Sequence, residues 1–291
     1  MSNLYAFYSS EDFRLKTVEN SELWFSYPHK FNDLHDCKIE NFLYNDLGDQ
    51  TWGADAEKDS GYPLKDLVPL FKALYEGGIN ARNTGYLINP IWKHIENWCD
   101  EKITGQELYN KVIENSRSIG VRCFAESFDN PLMWAHYAEA NKGYCVEYAK
   151  RGNGKHITTF PVQYVNSIGF GHNLSTLLFD PARTYFSLMN TKHSNWAYEK
   201  ETRYTLHKEN YSTVISTHEG FSVSLKSLDL KTKAIYVGVN ATEAMKCELK
   251  KAVDTIRSSE NPECELRQMK ASEEFEEQKL ILGEELGGCC R

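Results

Sequence analysis

Three consecutive stretches decide the fold: Ser118-Ile-Gly-Val-Arg-Cys-Phe124, Pro131-Leu-Met-Trp-Ala-His-Tyr-Ala-Glu-Ala140 and Tyr144-Cys-Val-Glu-Tyr148. The first and third are short runs of β-branched and aromatic residues and read as strands. The second reads as a helix. Asn130 or Asp129 stands where an N-cap belongs, Pro131 takes the first helical position, and Lys142-Gly143 closes the segment. Working outward, Leu4–Tyr8 is a strand, Phe13–Glu19 a helix or turn, and Glu22–Tyr27 a strand that ends at Pro28. Downstream, Ile157–Val165, Ala197–His207, Leu228–Val237 and Glu263–Met269 read as strands, Asn190–Asn195 as a polar turn and Ala241–Ile256 as a helix. Between the two halves, Asp46–Tyr62 is a polar loop, and helical spacing recurs at Pro63–Glu76, Pro90–Asp100 and Gln106–Asn115. This order predicts a single α+β domain over 1–291 with a mixed, largely antiparallel sheet. A mostly helical insertion falls at about 62–116 and an acidic segment at about 270–291.

The composition fits that reading. The chain has 291 residues, 41% hydrophobic and 25% charged, which supplies a sizeable core. A net charge of -8 argues against a permanently bound nucleic-acid duplex, though a locally basic channel stays open. No window has the length or apolarity to cross a bilayer, and the N-terminus carries no secretory pattern. The eight cysteines show no C-x-x-C spacing, so free thiols in a reducing cytoplasm are expected. Walker, G-x-G-x-x-G, G-x-S-x-G and kinase motifs are absent.

Three constellations can carry chemistry. In Met133–Tyr137, Trp134 and Tyr137 can stack on a flat ligand while His136 donates a hydrogen bond or moves a proton; the competing account is a buried aromatic helix. In Lys192–Arg203, an extended backbone would project Glu199, Glu201 and Arg203 from one face. Two carboxylates there can divide the work of stabilising a cationic transition state and activating a nucleophile, while Lys192 and Arg203 hold phosphate oxygens. The competing account is a solvated, charged edge strand. In Tyr27–Asp36, His29, Asn32, Asp33, His35 and Asp36 crowd a loop whose spacing favours Asx turns over a metal site, and no metal is expected.

A set of ordered pieces adds a resemblance. They are Leu4-Tyr5, Leu23-Trp-Phe-Ser26 with Pro28 and Phe31-Asn32-Asp33, Asp129-Asn130 with Leu132-Met133-Trp134-x-His136-Tyr137, Lys142-Gly-Tyr-Cys-Val-Glu147, Lys192 with Trp196-x-Tyr198-Glu199-x-Glu201-x-Arg203, and Ile235-Tyr-Val-Gly238. Over roughly residues 4 to 240 they resemble a bacterial family catalogued as domain of unknown function twenty-nine seventy-one, found near mobile elements. More distantly, the arrangement is similar to the ADP-ribosyltransferase group. That likeness implies a split sheet and cleavage of NAD, with Glu201 or Glu199 supporting the oxocarbenium-like transition state and His136 assisting. Tyr5, Asn32, Trp134, Tyr137, Lys192, Trp196 and Arg203 would line the NAD site. The acceptor would be nucleic acid or protein, and a toxin or antiviral defence role with an antitoxin or inhibitor partner would follow. The chain departs from that group in having Leu4-Tyr-Ala-Phe-Tyr8 where a His or Arg usually stands on the first strand. Two other classes stay open: a nuclease using metal-bound carboxylates or His136, Lys192 and Arg203, and a non-catalytic nucleotide- or partner-binding protein. Glu273–Glu285 reads as an acidic solvated tail or a partner-binding helix, and Leu282 onward as a disordered end.

Overall fold

The computed structural model describes residues 3–10, 14–33, 36–37, 62–63, 102–103, 118–151, 159–166, 187–208, 211–272 and 280–286. In chain order these form β1 (Leu4–Tyr8), α1 (Arg14–Glu19), β2 (Glu22–Ser26), β3 (Tyr62–Pro63), β4 (Lys102–Ile103), β5 (Ile119–Ala125), α2 (Pro131–Tyr137), β6 (Tyr144–Lys150), β7 (Phe160–Pro161) and β8 (Gln163–Val165). There follow β9 (Thr191–His193), β10 (Glu201–His207), β11 (Thr213–Ser216), β12 (Gly220–Ser224), β13 (Leu230–Val237), α3 (Glu243–Ser259), β14 (Glu265–Ala271) and β15 (Leu280–Glu285). The fold is α+β with a largely antiparallel main sheet, ordered β11-β12-β2-β5-β1-β6-β13-β14-β15, with β10 and β7 branching from β5. Its one parallel pair among the described residues, β13–β14, needs a crossover connection, and α3 supplies it. Thr242 caps α3 by accepting from the Met245 amide at 3.2 Å. Met245, Leu249, Val253 and Ile256 then turn one stripe of α3 into the main core with Tyr148, Val146 and Ile235.

The pairing around β5 positions the site. β10 follows one edge of β5 from Glu201↔Ala125 to His207↔Ile119. The other edge is shared, since β1 meets it at Tyr5↔Ala125 and β2 at Ser26↔Val121. Between those two points Arg122, Cys123 and Phe124 have no strand partner on that edge among the described residues. β1 and β2 therefore diverge from β5 and leave a wedge.

Several expectations are corrected. Ile157–Val165 is not one strand: its described part splits at Val162 into β7, on β10, and β8, which pairs in parallel with β9. Pro161 has no N–H to continue a ladder. Asn190–Asn195 is not a turn, because Thr191–His193 is β9. Within Ala197–His207 only Glu201 onward is extended. Ser194–Glu199 forms a 3-10 helix that ends in left-handed Lys200 (φ 44°). α2 stops at Tyr137, and Glu139, Ala140 and Asn141 adopt positive φ so that the chain can reverse into β6. Gly143 closes that reversal against β1, where a Cβ would come within 2.0 Å of the Tyr8 carbonyl oxygen. Leu280–Glu285 is a strand on β14 rather than a disordered end or a helix. Cys37, Cys123, Cys145 and Cys264 are free thiols as expected, whereas Cys247 is disulfide-bonded, a pairing that sequence spacing does not reveal. Of the expected helical insertion, only the β3–β4 ladder lies within the described residues, and there Pro63 is paired as strand rather than opening a helix.

Candidate functional site

The candidate site centres on five buried charged side chains, Asp36, Lys192, Glu199, Glu201 and Arg203. Arg203 is wholly buried, and β10 carries it to the middle of the cluster. Its Nε and Nη2 donate to the two Glu201 carboxylate oxygens at 2.9 and 3.0 Å. Its Nη1 and Nη2 donate to the two Asp36 oxygens at 2.8 and 2.7 Å, and Nη1 also donates to the Met189 carbonyl at 2.9 Å. These bonds engage all five N–H groups of the guanidinium. Lys192, on β9, is also buried. Its ammonium donates to Glu199 at 2.6 Å and Glu201 at 3.2 Å, and lies 3.5 Å from Asp36. The Trp196 ring lies 5.0 Å from the same nitrogen. Burial this complete is tolerable only because each charge meets opposite charges at hydrogen-bond distance.

The two glutamates differ sharply. Burial opposes ionisation of Glu201, but Arg203 and Lys192 outweigh it and hold the carboxyl down at about 2. Burial raises Glu199 above the usual carboxylate range, with Lys192 only partly offsetting it. The second oxygen of Glu199 accepts from the Tyr137 hydroxyl at 2.5 Å. Burial and the Glu199 charge push that phenol upward, so it stays protonated. Asn130 ties the two elements together. It caps α2 by accepting from the Leu132 amide at 3.0 Å and donates to the Tyr198 carbonyl at 2.6 Å.

A cavity of about 180 Å³ opens beside this cluster, in the wedge along β5. Tyr137, Lys192, Glu199, Glu201 and Asp36 form one side. Phe31, Asn32, Ser26, Arg14 and Arg122 are also among its lining residues. Such a cavity can place a small polar group against one carboxylate held ionised and a second whose proton affinity burial raises.

The expected site residues separate into groups. Tyr137, Lys192, Glu199, Glu201 and Asn32 line the cavity. Glu199 and Glu201 do not project from one extended face; they leave a 3-10 helix and a strand and converge on Lys192. Arg203 lies behind them, engaged throughout, and Trp196 covers Lys192. Trp134 is fully buried, with its indole N–H donating to the Phe128 carbonyl at 2.5 Å, and packs on Phe7. His136 is exposed beside Tyr198, outside the cavity lining. Tyr5 lies in a separate group with Phe128, Tyr236 and Glu147. His136, Lys192 and Arg203 are thus not brought together on one wall. Among the described residues no group of three or more His, Cys, Asp or Glu is placed to hold a metal ion. Of the polar loop, Asp36 joins the charge cluster, His29 stacks on Tyr27, and His35 lies outside the described residues. Asp36 as an ion-pair partner, and Arg14 and Arg122 as lining residues, are not apparent from spacing, because their partners are far away in sequence.

Fold and site together define an α+β protein with a charged cavity at the divergence of its sheet. Residues 133–204 are similar to a family described as a protein of unknown function (DUF2971). That match is narrower than the expected 4 to 240, but it runs from α2 into β10 and includes Tyr137, Lys192, Glu199, Glu201 and Arg203. No curated protein and no solved structure matches the chain. Among the described residues no helix is long and apolar enough to cross a membrane.

Proposed function

We propose that this protein is a glycosyl-transfer enzyme that cleaves the N-glycosidic bond of NAD and passes ADP-ribose to nucleic acid or protein, in the manner of a bacterial toxin or defence effector. The observation that carries the reading is the unlike pair of glutamates at the cavity, one held ionised and one raised and bonded to Tyr137. Chemistry through an oxocarbenium-like transition state uses two carboxyl groups whose environments push their proton affinities apart. In the proposed step the bond from the ribose anomeric carbon to the nicotinamide nitrogen breaks, and the nitrogen keeps the electron pair. Glu199, ionised and steadied by Tyr137 and Lys192, stabilises the cationic sugar carbon. An oxygen or nitrogen of the acceptor then bonds to that carbon and gives up its proton to a base, a role Glu199 can take once the charge it faced is gone. Glu201 positions Lys192 and, through it, Glu199. The cavity is below the roughly 300–1,000 Å³ typical of sites for drug-sized ligands. It suits one ring of a dinucleotide, and the remainder would extend beyond it.

The test is incubation of the full chain with NAD labelled in the adenylate, together with whole-cell RNA, DNA and protein. Transfer of label to one class, lost in Glu199→Gln, is the expected result. A folded protein that releases no nicotinamide and labels nothing with any acceptor sinks the proposal.

A further inference from the structure

We infer that the cavity holds a small cation that donates hydrogen bonds, a positively charged nitrogen group on a flat apolar ring, seated against Glu199. This inference rests on the cavity being a ligand site, as the proposed function does, but not on which bond is broken in it. The charges beside the cavity are unequal in number. Three carboxylates, Asp36, Glu199 and Glu201, meet two cations, Lys192 and Arg203, and all five side chains are buried. With every group ionised, one negative charge is left over, and an uncompensated buried charge is costly. A monocationic ligand removes that excess.

The hydrogen bonds point the same way and locate the excess. All five N–H groups of Arg203 have acceptors, and the Lys192 ammonium faces all three carboxylates. Neither is left to hold the phosphate oxygens that the sequence suggested for them. The Tyr137 hydroxyl gives its one proton to Glu199. These three side chains thus have no donor left for an anion. An ionised carboxylate offers about four acceptor positions. Glu201 accepts from Arg203 at both oxygens, from Lys192 and from Cys123. Asp36 accepts two bonds from Arg203 and one from Cys37, and Lys192 lies 3.5 Å away. Among the described residues Glu199 accepts only from Tyr137 and Lys192, one at each oxygen. Both of its oxygens therefore keep an acceptor position, and Tyr137, Glu199 and Lys192 all line the cavity.

The rest of the lining sets the body of the ligand. Phe7, Phe31, Val121 and Met133 are apolar, and an apolar cavity of roughly 150 Å³ holds benzene. The cavity of about 180 Å³ takes such a ring with one short substituent. Arg14 and Arg122 are lining residues too, but the Arg122 guanidinium lies over the Tyr8 and Phe124 rings, 4.6 and 5.8 Å from their centres. The oxidised nicotinamide ring, cationic and bearing carboxamide N–H donors, belongs to the inferred class.

Three probes of similar shape test this: benzylamine, benzyl alcohol and benzoate, titrated calorimetrically into the full chain at neutral pH and low salt. Saturable binding of benzylamine is expected. Benzyl alcohol should bind about tenfold or more weakly, the size of one hydrogen bond between charged groups, and benzoate more weakly still. Glu199→Gln keeps the shape of the side chain and removes its charge. It should lower benzylamine affinity about tenfold or more and change that of benzyl alcohol little. Wild-type protein that does not bind benzylamine, or binds benzoate as tightly, overturns the cation site, as does a folded Glu199→Gln variant that binds benzylamine undiminished. Nicotinamide release from NAD is read separately, so a cation site without transfer, or transfer without a cation site, tells this inference from the glycosyl-transfer proposal.

Discussion

Glu199 and Glu201 carry one functional group two residues apart, and their neighbours give them different tasks. Glu201 meets a full guanidinium face and an ammonium; Glu199 meets one ammonium and one phenol. Tyr137 lowers the proton affinity of Glu199 by donating to it, so removing that hydroxyl raises the affinity further. If Glu199 works ionised, Tyr137→Phe moves the acid limb of the pH–rate profile to higher pH. An acid limb that stays put or moves down would show that Tyr137 does not act through Glu199. Glu199→Gln removes the group facing the sugar carbon and should lower turnover by about 10²-fold or more, the scale found when a charge-stabilising group is deleted. Glutamates, lysine and tyrosine of this set were legible in the sequence because they fall in two short, dense segments. Asp36 was not, because its partner Arg203 lies far along the chain and only folding joins them.

At the scale of elements, most strands near the site were legible from aromatic and β-branched runs, and the α2 cap from Asn130-Pro131. The Ala197–His207 stretch misled because its alternation is equally compatible with a 3-10 turn once Lys200 takes a left-handed conformation. Lys200 takes that conformation as the C-terminal cap of the 3-10 helix, its N–H donating to the Ala197 carbonyl, and Glu199 and Glu201 on either side of it then converge on Lys192. The result is that the segment bearing Glu199 is held to α2 chiefly by side chains. Asn130 is one such tie, acting as helix cap and as donor to the Tyr198 carbonyl. Asn130→Ala should cost about 0.5–2 kcal/mol of stability, the usual cap loss. It should reduce turnover by more than that loss alone would suggest, because Glu199 is then less well placed. Asn130→Asp keeps the cap oxygen but not the donor, and should restore stability without restoring rate. Urea unfolding and steady-state kinetics on the two variants separate the roles, and equal rescue of both quantities by aspartate would refute the tie.

For the whole molecule, the charge cluster lies where β5, β9, β10 and the Asp36–Cys37 turn meet, so its protonation state is tied to global folding. Glu201 titrates near 2 in the folded chain, against about 4.3 in an unfolded one. The folded state thus binds its proton more weakly. The stabilisation is complete above about pH 4.3 and is lost as pH falls through about 2. Glu199 has the opposite sign. Its raised folded value makes its contribution greatest at low pH and smaller as pH rises through that value. The two variants should therefore diverge at neutral pH. Glu201→Gln leaves Arg203 and Lys192 undercompensated in a buried setting and should cost about 3–5 kcal/mol. Glu199→Gln relieves a carboxylate that burial disfavours and should cost little. Urea unfolding measured across pH 2 to 8 should show wild-type stability falling steeply on the acid side and a flatter acid limb for Glu201→Gln. A wild-type profile without that fall, or equal loss at pH 7 in both variants, would mean that the carboxylates are not held apart in the way that the cavity chemistry requires.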